Sequence, residues 1–256
     1  MNIVINQKYA YLRDWIEKIP SFFEEGGLIV HNRRNCIKVF SPEGGLEVNV
    51  KKFHKPHPLN RIIYTFFRKS KAYRSYHNTI RLAEKGFDTA EAVAFIELRV
   101  NGLLSESYFI SLHYRDMKEI RACYFGPLTG NEPLIDAFAR YSASLHDAGI
   151  YHLDYSPGNI LIRQDAGQYM FVMVDVNRMK FRPVGFRSGC RNFARLFGDD
   201  DIYRHLAVAY SQSREKSADK ADAIRLVMRY KNRFLRIKKW KNNLRGHFRS
   251  SSISLS

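Results

Sequence analysis

Acidic residues are scarce in this chain: 25 Asp and Glu stand against 42 Lys and Arg, a net charge of +17. Such an excess calls for an anionic counterpart, and nucleic acid, an anionic membrane surface and a phosphorylated or carboxylated substrate all fit its sign. Nucleic acid has only the charge in its favour, because no motif with interleaved aromatics is recognisable. Cysteine is also sparse. Cys36, Cys123 and Cys190 lie far apart and match no metal-ligand spacing, which points to packing residues with reduced thiols, as in the cytoplasm. No apolar run is long enough to span a bilayer, and residues 1–6 lack a cationic segment leading into an apolar stretch. Neither export nor membrane spanning is indicated.

The apolar content, 45% with 14% aromatic, excludes a disordered chain and suffices for one domain or for two small lobes around a cleft. Only residues 250–256 read as a loose tail.

The most informative segment is Tyr151-His152-Leu153-Asp154-Tyr155-Ser156-Pro157-Gly158-Asn159. It has the H-x-D-x-x-x-x-N spacing of a kinase catalytic loop, in which the Asp accepts the proton of the acceptor hydroxyl and the Asn holds a metal ion on the nucleotide phosphates. Asp154 and Asn159 take those roles. Alone, a loop Asp is ordinarily a cap and an Asn after Gly a turn former. The surroundings give the pair its meaning. Apolar residues recur at helical spacing over residues 133–148, with Pro133 suited to a first turn and Gly149 to a stop. After the loop come a strand at 159–162, a turn at 165–168 and an apolar strand at 169–174 that ends on Asp175, where a kinase keeps its second metal-binding Asp.

The earlier part of the chain reads as a kinase small lobe. Residues 27–30, 36–40 and 46–51 are strands, and Val48-Asn49-Val50-Lys51 resembles the V-A-I-K strand whose Lys holds the α- and β-phosphates. Lys51 is the choice for that role and Lys52 the rival, because neighbouring strand residues face opposite ways. A solvated edge-strand charge is the bland alternative for either. Two features depart from the pattern. The loop between the first two strands has no G-x-G-x-x-G and offers Arg33 and Arg34 instead. The helix at 70–85 carries Ser75, Tyr76 and His77 where a Glu partner for the lysine belongs, and its one acid, Glu84, lies at the far end. Asn101-Gly102 marks a hairpin between residues 91–100 and 103–114, and residues 113–120 read as the hinge against which an adenine would lie.

Leu153 replaces the Arg that pairs with a phosphorylated activation loop, Ser156 replaces the usual Lys, and no A-P-E follows Asp175. A peptide-docking platform is not evident. The chain resembles the lipopolysaccharide kinase family, bacterial enzymes that phosphorylate Kdo or heptose of the lipopolysaccharide inner core. The resemblance covers about residues 48–196. It rests on Val50-Lys51-Lys52-Phe53, Phe67-Arg68-Lys69-Ser70-Lys71-Ala72, the loop from His152 to Ile162, Val174-Asp175-Val176-Asn177-Arg178 and Arg191-Asn192-Phe193-Ala194-Arg195-Leu196.

The resemblance implies an α+β, two-lobed protein-kinase-like fold, with a small antiparallel-sheet N-lobe at 1–118 and a mainly helical C-lobe at 119–249. It implies ATP with Mg²⁺ and a sugar hydroxyl as acceptor. Under it Arg178, Lys180 and Arg182, followed by Arg187 and Arg191, would orient an acidic, lipid-anchored glycan, with a solvated basic loop as the alternative. Near the end, Leu226, Tyr230, Phe234, Ile237, Trp240, Leu244 and Phe248 recur at spacings of three and four, among ten Lys or Arg and no acid at 225–249. Such a helix suits an anionic headgroup layer on the inner face of the cytoplasmic membrane, or packs its stripe on the large lobe. The competing readings are a non-catalytic kinase-like scaffold on an anionic surface and a kinase of a protein or small metabolite.

Overall fold

A computed structural model describes residues 1–32, 35–121, 127–196, 198–214 and 219–253, with side chains described as far as residue 243. Arg33, Arg34, Cys123, the side chains of Leu244 and Phe248, and residues 254–256 of the tail lie outside the described residues. The chain divides into two compact units, Met1–Met117 with Val172–Arg178, and Lys118–Phe171 with Met179–Ser256.

The first unit is built on β1 (Asn2–Ile5), β2 (Leu28–Asn32), β3 (Cys36–Phe40), β4 (Val48–Phe53), β5 (Ala92–Val100) and β6 (Leu103–Leu112), an antiparallel sheet in the order β1-β5-β6-β4-β3-β2. Asn101 and Gly102 both take positive φ, 53° and 75°, as a two-residue primed turn requires. The period-two alternation of the strands sorts the side chains between two faces. Val48, Val50, Ile96, Tyr108 and Ile110 pack with Ile16 and Ile19 of α1 (Arg13–Phe22). Each buried aliphatic side chain of this kind contributes roughly 1.5–3 kcal/mol by leaving water. Lys38 is buried at the end of α1, donating to the carbonyls of Phe23 (2.6 Å), Glu24 (2.8 Å) and Gly26 (3.0 Å), where a cation satisfies groups the helix leaves open.

After β4 the chain forms α2 (Pro58–Ile62), which continues as a single π-helical turn, Ile63–Phe67. Next comes α3 (Lys71–Glu84), started by Ser70, whose Oγ accepts the Tyr73 N–H at 3.0 Å. Ala72 and Tyr76 of α3 meet Phe53, Ala92 and Phe95.

The second unit is mainly helical: α4 (Glu132–Asp147), α5 (Phe186–Asn192), α6 (Asp200–Ser213) and α7 (Lys220–Ile253). Its strands are short. β7 (Lys118–Glu119), β9 (Ile160–Asp165) and β10 (Gln168–Met173) form one sheet, and β8 (Ile150–His152) pairs with β11 (Met179–Phe181) in another. Lys118 and Glu119, read above as part of a hinge, are therefore strand. Asp165 closes β9, so the turn before β10 is Ala166-Gly167, both at positive φ. β10 ends in the first unit, to which Val172 and Met173 belong.

α4 packs against α6, and α6 against α7. The buried face of α4 carries Leu134, Ile135, Phe138 and Leu145, as the periodicity requires, together with the polar Ser142 and His146. α7 buries a different stripe from the one read in the sequence: Ala223, Val227 and Lys231 are covered, Leu226, Tyr230 and Phe234 are half-buried, and Ile237 and Trp240 are exposed. The buried lysine explains the rotation. Lys231 Nζ donates to the Gly198 carbonyl (2.9 Å) and Asp200 (2.6 Å) and lies over the Tyr203 ring, so a cation packs where an apolar pattern expects none. No described helix is long and apolar enough to cross a membrane.

Candidate active site

β4 sends Lys51 and Lys52 to opposite faces of its sheet. Lys51 Nζ meets Asp175 Oδ1 at 2.6 Å. Lys52 instead lies on the side of Tyr108, with Glu24 at 2.8 Å and Glu106 at 3.2 Å. Burial acts to lower the Lys52 pKa, but its bonds to Glu24, Tyr108 and Glu106 outweigh it and raise the value. Glu106 is held below the ordinary carboxylate range for the converse reason: burial pushes it up, and Tyr108 and Lys52 pull it further down. The two adjacent lysines therefore have different partners.

Asp175 sits at φ 55°, a left-handed conformation that an Asp tolerates at a cost and that its neighbours must enforce. They do so from both sides. Before it, the Met173 N–H donates to the Asp88 carbonyl (3.3 Å) and the Met173 carbonyl accepts from Thr89 Oγ1 (3.0 Å). After it, Asn78 Nδ2 donates to the Val176 carbonyl (2.8 Å) and an Arg74 amine to the Asn177 carbonyl (2.7 Å). Asn177 Nδ2 donates to Asp175 itself. Arg74 and Asn78 stand four residues apart on one face of α3, so this helix grips the backbone around Asp175 where the kinase pattern has a Glu for the lysine.

Asp154 lies in the second unit between β8 and a short turn, Pro157–Asn159. Its N–H donates to His152 Nδ1 (3.0 Å) and its carbonyl accepts from Asn159 Nδ2 (2.8 Å). Asn192 Nδ2 donates to the His152 carbonyl at 2.8 Å. Tyr155 is buried, stacked on Phe138 and bonded to Ser142 Oγ at 2.7 Å. The loop is thus pinned on both sides of Asp154, whose carboxylate meets the Arg195 guanidinium.

Behind the loop stands a buried polar chain. His146 Nε2 lies 3.0 Å from Asn192 Oδ1, an acceptor, so Nε2 carries the proton and Nδ1 accepts from the Tyr210 hydroxyl at 2.8 Å. Burial lowers the His146 pKa to about 4 against a smaller opposing effect of Asn192, which keeps the ring neutral. Gly189 makes the room: a Cβ there would lie 1.8 Å from the Tyr210 hydroxyl and 3.0 Å from His146 Nδ1.

Arg178, Lys180 and Arg182 are all exposed, and β11 alternates so that Met179 is buried while Lys180 points out. The Arg182 guanidinium lies over the Tyr151 ring, 5.4 Å from its centre, and Arg187 Nε donates to the Tyr230 hydroxyl of α7 at 3.1 Å. Sequence reasoning assigned no roles to Arg195, Asn192, His146, Arg74 and Asn78. Two signals bear on Arg195: the Ser156 that replaces the usual Lys, and the place of Arg195 in the segment 191–196 that carries part of the family resemblance.

A family model described as the lipopolysaccharide kinase (Kdo/WaaP) family matches residues 32–230, a span that contains Lys51, Asp154, Asn159, Asp175 and Arg195. A search of curated proteins found no significant match. Among solved structures, one titled "WaaP in complex with acyl carrier protein" aligns with a TM-score of 0.61 at 17% identity, covering 91% of this chain and 99% of that one. At that identity the likeness shows the kinase-like fold. The family match over most of the chain carries the rest: the chain belongs to the lipopolysaccharide kinase (Kdo/WaaP) family, and it is a phosphotransferase that acts on a sugar hydroxyl.

Proposed function

We propose that this chain is an ATP-dependent kinase that transfers the γ-phosphate to a hydroxyl of Kdo or heptose in the lipopolysaccharide inner core. The observation that carries the reading is the anchoring of Asp154, whose backbone is tied at both its N–H and its carbonyl, as a general base held ready for an acceptor hydroxyl must be. Asp154 would accept that proton. Lys51 would bind the α- and β-phosphates, and Arg178, Lys180 and Arg182 the carboxylates or phosphates of the acidic glycan.

Asn159 and Asp175 fit Mg²⁺ by the chemistry of their donors, a carboxamide and a carboxylate oxygen. Among the described residues no group of three or more His, Cys, Asp or Glu could form a dedicated metal cage. Mg²⁺ takes one or two protein oxygens and completes its shell with phosphates and water. When bound, it would neutralise charge developing on the phosphates. Ile237 and Trp240, exposed among the cations of α7, support peripheral attachment to the inner face of the cytoplasmic membrane.

Mass spectrometry of lipopolysaccharide from cells with and without this chain tests the assignment, because loss of one core phosphate names both reaction and acceptor. Asp154→Ala should abolish transfer and leave nucleotide binding largely intact. Full transfer by that variant would remove the mechanism. Since the solved relative was captured with acyl carrier protein, transfer is measured with and without that protein.

A further inference from the structure

In α2 and the π-helical turn after it, Arg61 and Thr65 face the protein while the large apolar side chains face out. Arg61 donates from Nε to the Leu104 carbonyl (2.9 Å) and from a terminal amine to the Val100 carbonyl (3.3 Å). Thr65 Oγ1 accepts the Leu104 N–H at 3.0 Å and donates to the Arg61 carbonyl at 2.7 Å. These bonds fix the segment against the β5–β6 hairpin of its own unit. Leu59, Phe66 and Phe67 are left 69%, 70% and 82% exposed, with Ile62 and Ile63 above 40%. Single exposed apolar residues need no explanation, but a cluster of five within nine positions, two of them Phe, marks a surface that water does not permanently cover.

The charge around the cluster selects the occupant. Residues 54–83 contain seven Lys or Arg and no Asp or Glu. Of these, Lys55, Arg68 and Lys69 are exposed and flank the apolar residues in the chain. A protein groove would match apolar area with mixed polar edges. A rim of one sign around protruding Phe and Leu matches the boundary layer of an anionic bilayer, where acyl chains take the apolar tips and phosphates the cations. The polar anchors at Arg61 and Thr65 mean that little ordering remains to oppose docking.

We propose that Pro58–Phe67 is an interfacial anchor that seats the first unit on an anionic bilayer, the surface that would carry the glycolipid acceptor. The choice of that surface rests on the glycolipid-kinase reading, whereas the anchor is tested without turnover. The experiment is flotation of the full chain with vesicles of phosphatidylethanolamine and phosphatidylglycerol, and with phosphatidylcholine alone. It compares wild type with Leu59→Ser/Phe66→Ser/Phe67→Ser, and with Phe67→Ser should the triple variant fail to fold. Wild type should float with the anionic vesicles and much less with the neutral ones. The triple variant, its α7 intact, should bind at least tenfold more weakly, because even one of the three apolar side chains is worth about that much on transfer. Its phosphorylation of a deacylated, water-soluble acceptor should be unchanged.

Equal flotation of variant and wild type overturns the anchor, as does equal binding to neutral and anionic vesicles. So does wild-type self-association in sedimentation that the triple variant lacks, since the face would then belong to a second copy. If neither protein phosphorylates the soluble acceptor, the kinase reading fails while the flotation result stands.

Discussion

The Arg195 guanidinium is paired with the Asp154 carboxylate, from a turn 41 residues further along the chain. It supplies the cation that Ser156 leaves out of the loop. Both partners are about a third exposed, so the pair contributes at most about 1 kcal/mol to stability, and under the proposed mechanism its importance is to aim the carboxylate. Arg195→Ala should lower kcat on the order of a hundredfold, a size typical of perturbed acid–base catalysis, with nucleotide affinity and Tm nearly unchanged and partial recovery in Arg195→Lys. An unaltered kcat would show the pair to be incidental.

Lys51 and Lys52 should separate cleanly in ATP affinity. Lys51→Ala should weaken nucleotide binding, measured by titration with ATP, and cost an amount of stability similar to that of Lys52→Ala by leaving Asp175 without the Lys51 cation. Lys52→Ala should leave ATP affinity alone and cost about 1–3 kcal/mol of stability by denaturant unfolding, because it strands Glu106 without its cation. The reverse result would assign the phosphates to Lys52.

Gly189 has no tolerance for a side chain. Gly189→Ala drives a methyl into the Tyr210 hydroxyl and the His146 ring, neither of which can move in a packed interior, and should cost about 1–3 kcal/mol or more. Equilibrium unfolding measures it. Stability within a few tenths of wild type would mean that the buried chain behind the loop is loosely packed.

His146 makes stability depend on pH in a defined window. Its folded pKa is about 4 against 6.5 for the unfolded chain, so the unfolded state takes up a proton that the folded state refuses. The contribution is complete above about pH 6.5 and is lost as pH falls toward about 4, reaching roughly 3 kcal/mol at about 1.4 kcal/mol per pH unit. His146→Gln should flatten the stability profile across that range in urea unfolding. An identical slope in the variant would place the titration on another group.

Much of this was legible in the chain because local pattern and tertiary role coincide. Val48 and Val50 alternate onto a buried face, Asn101-Gly102 dictates its own turn, and α4 is apolar at helical spacing. Other parts carry no such signature. Pro20 interrupts the pattern of α1, and β1 is fixed by pairing with residues about 90 positions away, from Glu97 back to Ala94. α2 hides because its apolar residues face outward. Among the site residues, the loop acid and amide announce themselves by spacing. Arg195, Arg74 and Asn78 act through contacts that no short-range pattern encodes.

The seven residues from Val172 to Arg178 complete a unit whose other residues end at Met117. On the ribosome, that unit has to wait: its sheet can form early, but Asp175 and its partners on α3 cannot meet until more than fifty intervening residues have been made. A truncated product ending near residue 117 would emerge with Lys51, Arg74 and Asn78 lacking their counterparts. Such a fragment is where degradation or chaperone capture of nascent chains should concentrate.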